Sequence, residues 1–239
     1  MIDYTNKEKG LKSAVQSKAV EYDQGLRAHM LKVYNTMSMG LGITGLVAYF
    51  ASTSEALMQA IFGTPLAWVV IFAPLAFVIY FSARINVMSE SKAKAVFYIY
   101  AAVMGLSLST VFLMYTGASV ARTFFITAAT FGALSLYGYT TKKDLTGWGS
   151  FLFMGLIGII IASVVNIFLG SAGLGFVISV AGVLIFTGLT AYDSQKIKQL
   201  YYVIDGGNLG KAAIMGALTL YLDFINLFLM LLRLMGDRR

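Results

Sequence analysis

Seven apolar runs of about twenty residues, separated by short polar stretches, constrain this chain more than any other feature. They cover Val33–Ala51, Thr64–Ala83, Ala95–Thr116, Thr123–Tyr139, Gly149–Leu169, Gly173–Tyr192 and Ala213–Leu232. Each is close to the length a helix needs to cross the hydrocarbon core of a bilayer. Only 12% of the residues are charged, about half the usual share of a soluble domain. Such a chain cannot cover a globule with polar surface. The fold expected is therefore an all-α integral membrane protein of seven transmembrane helices. A polar arm at 1–32, one transmembrane domain at 33–235 and a short tail at 236–239 divide the chain. The arm is too long and polar for the start of a signal peptide. The fourth run is the shortest and carries Thr127, Thr130 and Ser135.

The basic residues predict the orientation. Fourteen of the eighteen Lys and Arg fall in the arm and in the connections after the second, fourth and sixth runs. The other four are Arg122, Arg233, Arg238 and Arg239. The positive-inside rule then puts the N-terminus in the cytosol and the C-terminus outside. The net charge of +7 reads as topology and not as a nucleic-acid footprint, because no stretch outside the runs interleaves basic and aromatic residues. The chain has no cysteine, which excludes disulfides and thiolate chemistry. Its single histidine, His29, lies in the arm, so a His-rich metal site is excluded too.

Glycines recur inside the runs: Gly40, Gly42 and Gly45 in the first, Gly155 and Gly158 in the fifth, Gly182 and Gly188 in the sixth. Small residues let helices approach closely in lipid and predict a compact bundle. Pro74, in the middle of the second run, predicts a bend there.

Asp223 is the one ionisable residue deep inside any run. A carboxylate at that depth costs on the order of 2.5–3.5 kcal/mol on insertion scales. It faces a protein interior or a water-filled path, and so marks an ion, proton or substrate route. The blander reading is a permanently protonated acid bonded to a neighbouring helix. Gly216, Thr219, Asp223 and Asn226 share one stripe at helical spacing, on a segment otherwise made of Leu, Met, Phe and Ile. That narrow stripe predicts a seventh helix enclosed by the others. Asp223 would lie roughly 16 Å from the cytosolic start of its helix, at 1.5 Å per residue.

Asp193 closes the sixth run, with Thr190, Gly182 and Ser179 on its face. The sixth and seventh helices are consecutive and antiparallel, so Asp193 and Asp223 are expected to meet if Asp193 lies a turn inside the membrane. Otherwise Asp193 is a solvated interfacial residue. Arg84, at the end of the second run, either snorkels to the interface or reaches inward to a carboxylate. Two touching carboxyls in low dielectric cannot easily both ionise and would titrate as a unit around a shared proton. Fully ionised, they would attract a hard cation such as calcium.

Two segments carry a resemblance: TAYDSQKI at 190–197 and GALTLYLDFINLFLMLLRLMG at 216–236. The chain resembles the Bax inhibitor-1 family from about residue 25 onward. The resemblance implies a seven-helix fold whose last helix is central, wrapped by helices 1–3 and 4–6. It implies a pH-sensitive calcium leak with Asp193 and Asp223 as the sensor and gate and Arg84 as a latch; helical spacing, and not the resemblance, adds Thr190, Gly216, Thr219 and Asn226 as the supporting polar face. Calcium would be the transported ion, held transiently by the two aspartates, with no resident cofactor. A bacterial inner membrane is expected, because the tail LMGDRR lacks the lysine-rich end common in eukaryotic members.

Other classes compete with that expectation. A cation/proton antiporter could use the same residues. A non-transporting regulator would bind other membrane proteins, such as a membrane-bound protease. An intramembrane aspartyl protease would need Gly-x-Gly-Asp around its second acid, and Leu220–Tyr221–Leu222 stands there instead, so no enzyme is expected. A retinal protein would need a lysine inside the seventh run. Gly170–Gly175 follows no strand and makes no nucleotide-binding fingerprint.

Overall fold

The structure is a computed structural model that describes residues 4–204 and 208–239, with side chains described from residue 24 onward. The side chains of Lys7, Lys9, Lys12 and Lys18, which contribute to the expected orientation, lie outside the described residues.

The described residues form eight α-helices. They are α1 (Tyr4–Thr53), α2 (Glu55–Phe62), α3 (Leu66–Arg84), α4 (Glu90–Met114), α5 (Gly117–Thr140), α6 (Thr146–Leu169), α7 (Ala172–Val203) and α8 (Leu209–Met235). Helices α3 to α8 are each long and apolar enough to cross a membrane. The first apolar run behaves differently. It is the later part of α1, which passes residue 32 without a break and buries Leu26 and Met30 ahead of it. Helices α1 and α2 qualify as a span only when taken as a bent pair, with a 99° turn between them. Ser54 sits at that turn and caps α2 by accepting from the Leu57 N–H at 3.3 Å. The helices therefore supply six spans, and a seventh only if the bent pair counts as one.

Burial is strongly uneven. In the most apolar stretch of α8, 72% of residues are buried, against 11% in α3 and in α6. The last helix is thus the core of the bundle. It packs against α7, α1, α5 and α4. The expected wrapping by helices 1–3 and 4–6 is more selective than that: α3 leans mainly on α4, and α6 on α7. Both turn their Leu, Ile, Phe and Val side chains outward, as a lipid-facing helix can.

Close approach explains several glycines. A Cβ at Gly138 of α5 would lie 2.1 Å from the Ala191 carbonyl oxygen of α7. One at Gly182 of α7 would meet Met230 of α8 at 2.7 Å. Gly158, in contrast, faces open space on the outer helix α6. Gly170, at φ 59°, ends α6 in the left-handed conformation, and Ser171 caps α7. Gly170 and Ser171 thus make a tight helix-to-helix turn, and Gly173 and Gly175 lie in the first turn of α7.

Pro74 lies inside α3, and the helix continues through it. Its ring leaves the Val70 carbonyl without the usual amide partner four residues on. The Ser107 hydroxyl of α4 donates to that carbonyl instead. A neighbouring helix thus restores the bond lipid cannot supply.

The end of the chain is tied down. Thr116 N–H donates to the Asp237 carbonyl and Arg239 N–H to the Met114 carbonyl, each at 3.0 Å. Asp237 N–H donates to Ser119 Oγ at 2.9 Å, and Arg122 pairs with the Asp237 carboxylate at 2.7 Å. These bonds fasten the exit of α8 to the junction of α4 and α5.

Candidate functional site

Asp193 of α7 and Asp223 of α8 face each other across the contact between the two helices. Their carboxyls act on each other electrostatically, and Asp223 Oδ2 is buried with no hydrogen-bond partner among the described residues. Asp223 is 5% exposed, and Asp193 is half-buried. Both line a cavity of about 530 Å³ between α6, α7 and α8. Thr219 and Asn226 of α8 line it on either side of Asp223, with Ser150 and Phe153 of α6 opposite. The wall is mixed, with Leu and Phe side chains beside these polar groups, which offer a water molecule several partners.

Local structure fixes these positions. On α8 the spacing 219, 223, 226 brings three polar side chains to one face. Thr219 and Asn226 each return a bond to their own helix, to the Met215 and Leu222 carbonyls at 3.1 and 2.9 Å. Gly216 lies one turn earlier and lets Ile197 of α7 press against the backbone, with only 3.2 Å to a notional Cβ. That contact sets the α7–α8 spacing near the acid pair. Gln195 anchors α7 to the α5–α6 connection, accepting from Leu145 N–H and donating to the Lys143 carbonyl, both at 2.8 Å.

Three of the residues expected at the site do not line the cavity: Gly216, which packs against Ile197 instead, Thr190 and Arg84. Thr190 is fully buried but does not line the cavity; its hydroxyl donates to the Phe186 carbonyl at 2.7 Å. Arg84 is exposed at the end of α3, and among the described residues its guanidinium has neither an ion-pair nor a hydrogen-bond partner. Helix α3 packs on α4, so a latch from Arg84 to the pair requires a rearrangement of these helices.

The cation that does stand by the pair is Lys196. It lines the same cavity, acts electrostatically on Asp193, and lies 5.9 Å from the centroid of the Tyr192 ring. Its signal in the sequence is the Asp–x–x–Lys spacing, which puts it on the Asp193 face of α7. A second group was equally hidden. Tyr34, Ser135 and Ser194 form a hydroxyl chain linking α1, α5 and α7, with both O–O distances at 2.7 Å. Ser194 passes its proton to the Thr190 carbonyl, so Ser135 donates to Ser194 and Tyr34 to Ser135. Serines and threonines are common along these runs, and nothing in their spacing marks this chain.

Among the described residues, no third Asp, Glu, His or Cys joins the aspartates to make a metal cluster. A resident calcium site uses six to eight oxygens, more than two carboxyls supply.

Comparison with known proteins agrees with the residues that carry the resemblance. The family model described as "Inhibitor of apoptosis-promoting Bax1" matches residues 26–239. The chain belongs to the Bax inhibitor-1 family. Among its bacterial relatives, the inner membrane protein YbhL of Escherichia coli K12 is 51% identical over 219 residues, covering 90% of this chain and 94% of YbhL. The uncharacterized protein RP147 of Rickettsia prowazekii is 49% identical over the full length of both chains. A membrane protein of Streptococcus pyogenes, SpyM3_0260, is 39% identical over 90% of this chain. The chain is thus an integral membrane protein of the Bax inhibitor-1 family.

Proposed function

We propose that the protein is a passive, pH-sensitive cation leak, with calcium as its main cargo, gated by Asp193 and Asp223. The observation that supports it is the acid pair at the wall of the α6–α7–α8 cavity. A shared proton lets the two carboxyls stay together in low dielectric. Loss of that proton leaves two negative charges, which repel each other and attract a cation. Gain of a second proton leaves none. The charge of the pair therefore couples proton binding to the α7–α8 contact and to the affinity of the cavity for a cation. Asn226 and Thr219 add oxygen atoms that can replace part of a cation's hydration shell.

In this reading the N-terminus is cytosolic and the C-terminus outside, in a bacterial inner membrane, following the uneven distribution of Lys and Arg. The cavity then lies towards the cytosolic side, near the start of α6 and the end of α7.

The test is calcium flux into proteoliposomes at pH 6, 7 and 8. Wild-type protein should conduct without an energy source and at a rate that changes with pH. Asp223→Asn should make the three rates equal. A strict need for a proton gradient would make the protein an antiporter. Absence of flux, with a stoichiometric membrane-protein partner in pull-downs, would make it a regulator.

A further inference from the structure

Lys196 is the only ammonium that lines the acid cavity among the described residues. It sits one helical turn beyond Asp193, on the same face of α7. Its side chain is exposed, so the ammonium can move between the cavity mouth and water. Its charge acts on Asp193, yet the ammonium forms no ion pair within 4 Å with any described residue, unlike Lys32, which pairs with Glu90. Instead it hovers near the Tyr192 ring, at 5.9 Å, a distance that favours a cation over the ring face. A lysine poised beside a carboxylate, but not locked to it, differs from an interfacial lysine that merely fixes topology.

We propose that Lys196 is a tethered competitor for the incoming ion: its ammonium holds the place beside Asp193 that a permeating cation must take. This role rests on the leak reading. When Asp193 is ionised and the cavity is empty, the ammonium moves in and neutralises it. An arriving divalent ion displaces it, because two charges in the same field outweigh one, and the ammonium swings out to water. The device sets the cation concentration at which conduction begins and favours divalent over monovalent ions. It needs a flexible point charge, which is what the lysine side chain supplies and the planar guanidinium supplies less well.

Two measurements on the full-length protein test this. The first is calcium flux in proteoliposomes against calcium concentration. Lys196→Gln should lower the half-saturating concentration about two- to fivefold, the range expected for a partly exposed charge pair, and should raise potassium permeation relative to calcium. Lys196→Arg, which keeps the charge on a less adaptable head group, should fall between wild type and Lys196→Gln. In an Asp193→Asn background, Lys196→Gln should have no further effect. The second is terbium luminescence of purified protein in detergent, sensitised by the nearby tyrosines and independent of flux. Terbium should bind Lys196→Gln more tightly than wild type by a similar factor. Wild-type binding in Lys196→Gln would overturn the proposal, and so would a gain that persists without Asp193. If wild type binds terbium but passes no calcium, the leak reading fails while the competition at Asp193 stands or falls on terbium binding.

Discussion

Tyr221 and Asp223 lie two residues apart on α8 and face opposite sides of the bundle. Tyr221 is wholly buried against α1 and α4. Its hydroxyl lies 2.6 Å from Thr44 Oγ1, and Thr44 spends its own proton on the Ala101 carbonyl at 2.8 Å. Tyr221 is therefore the donor, and every proton in the trio has an acceptor. Its ring meets Phe97 and Tyr100 edge-on at 5.7 Å. Asp223 has no such enclosure. It borders a cavity, leans on a second acid, and keeps one oxygen without a partner. Buried polar groups cost free energy unless bonded. The Tyr221 hydroxyl is thus satisfied, although the Tyr100 hydroxyl packed beside it has no partner among the described residues; the Asp223 side differs in setting a carboxyl at a cavity, where a proton or an ion can change the energy.

The sharpest way to break this contrast is Asp223→Asn. It removes the titrating charge but keeps the size, and should abolish the pH dependence of flux in proteoliposomes while leaving the protein folded. A pH profile that survives the change would move the sensor elsewhere. Next comes the packing that holds the two sides together. Gly138→Ala forces a methyl into the Ala191 backbone and should destabilise the protein by about 1–3 kcal/mol, the usual cost of overpacking. Gly158→Ala, on the open face of α6, should be neutral or slightly stabilising. Thermal unfolding in detergent would compare the two; equal effects would contradict the inner and outer roles of α5 and α6.

Tyr221→Phe should have a smaller effect. It removes one interhelical bond of a kind worth about 0.6 kcal/mol in membranes, and Thr44 keeps its bond to Ala101. Stability should drop slightly and the pH profile of flux should not move. A shifted profile would show that the two sides of α8 communicate. The smallest effect belongs to the α5–α6 connection. Asp144 accepts from Thr146 N–H at 2.9 Å, and its hydrogen bonding with Thr146 holds its carboxyl below the usual range. A carboxyl depressed in the folded state adds stability above its unfolded pKa and loses it as the pH falls through the folded value. Asp144→Ala should therefore differ from wild type at pH 7 and converge with it in strong acid, as melting curves at the two pH values would show.

Much of this design is legible in the residues. Composition and run length reveal a membrane bundle, because a helix in lipid must be apolar over a fixed length. The stripe of Gly216, Thr219, Asp223 and Asn226 reveals that α8 is enclosed, since a lipid-facing helix has no use for it. The two acids on consecutive antiparallel helices make a pair possible but leave Asp193 equally readable as an interfacial residue; the structure sets both at one cavity wall. Less legible is whatever depends on contacts between distant runs. The 99° turn after α1, and the short helix α2 beyond it, fall between the first and second runs, where hydropathy marks only a connection. Which helices flank α8, and which stand outside, depends on matching surfaces that hydropathy does not record. The same limit hides the rescue of Val70 by Ser107 and the chain from Tyr34 to Ser194. Lys196 is a separate case: a lysine at the end of a run already has an explanation in the orientation rule, and that explanation conceals its place beside Asp193. Arg84 shows the converse, a residue whose family resemblance suggests a contact that α3 does not make in this structure.

The knot of hydrogen bonds joining Thr116, Ser119 and Arg122 to Asp237 has a mechanical consequence. A rod pinned at one tip can swing or twist but cannot slide. Any motion of α8 that separates the acids must therefore be a pivot about this fastening, with the largest sweep at Leu209, where the helix begins, and almost none at its exit.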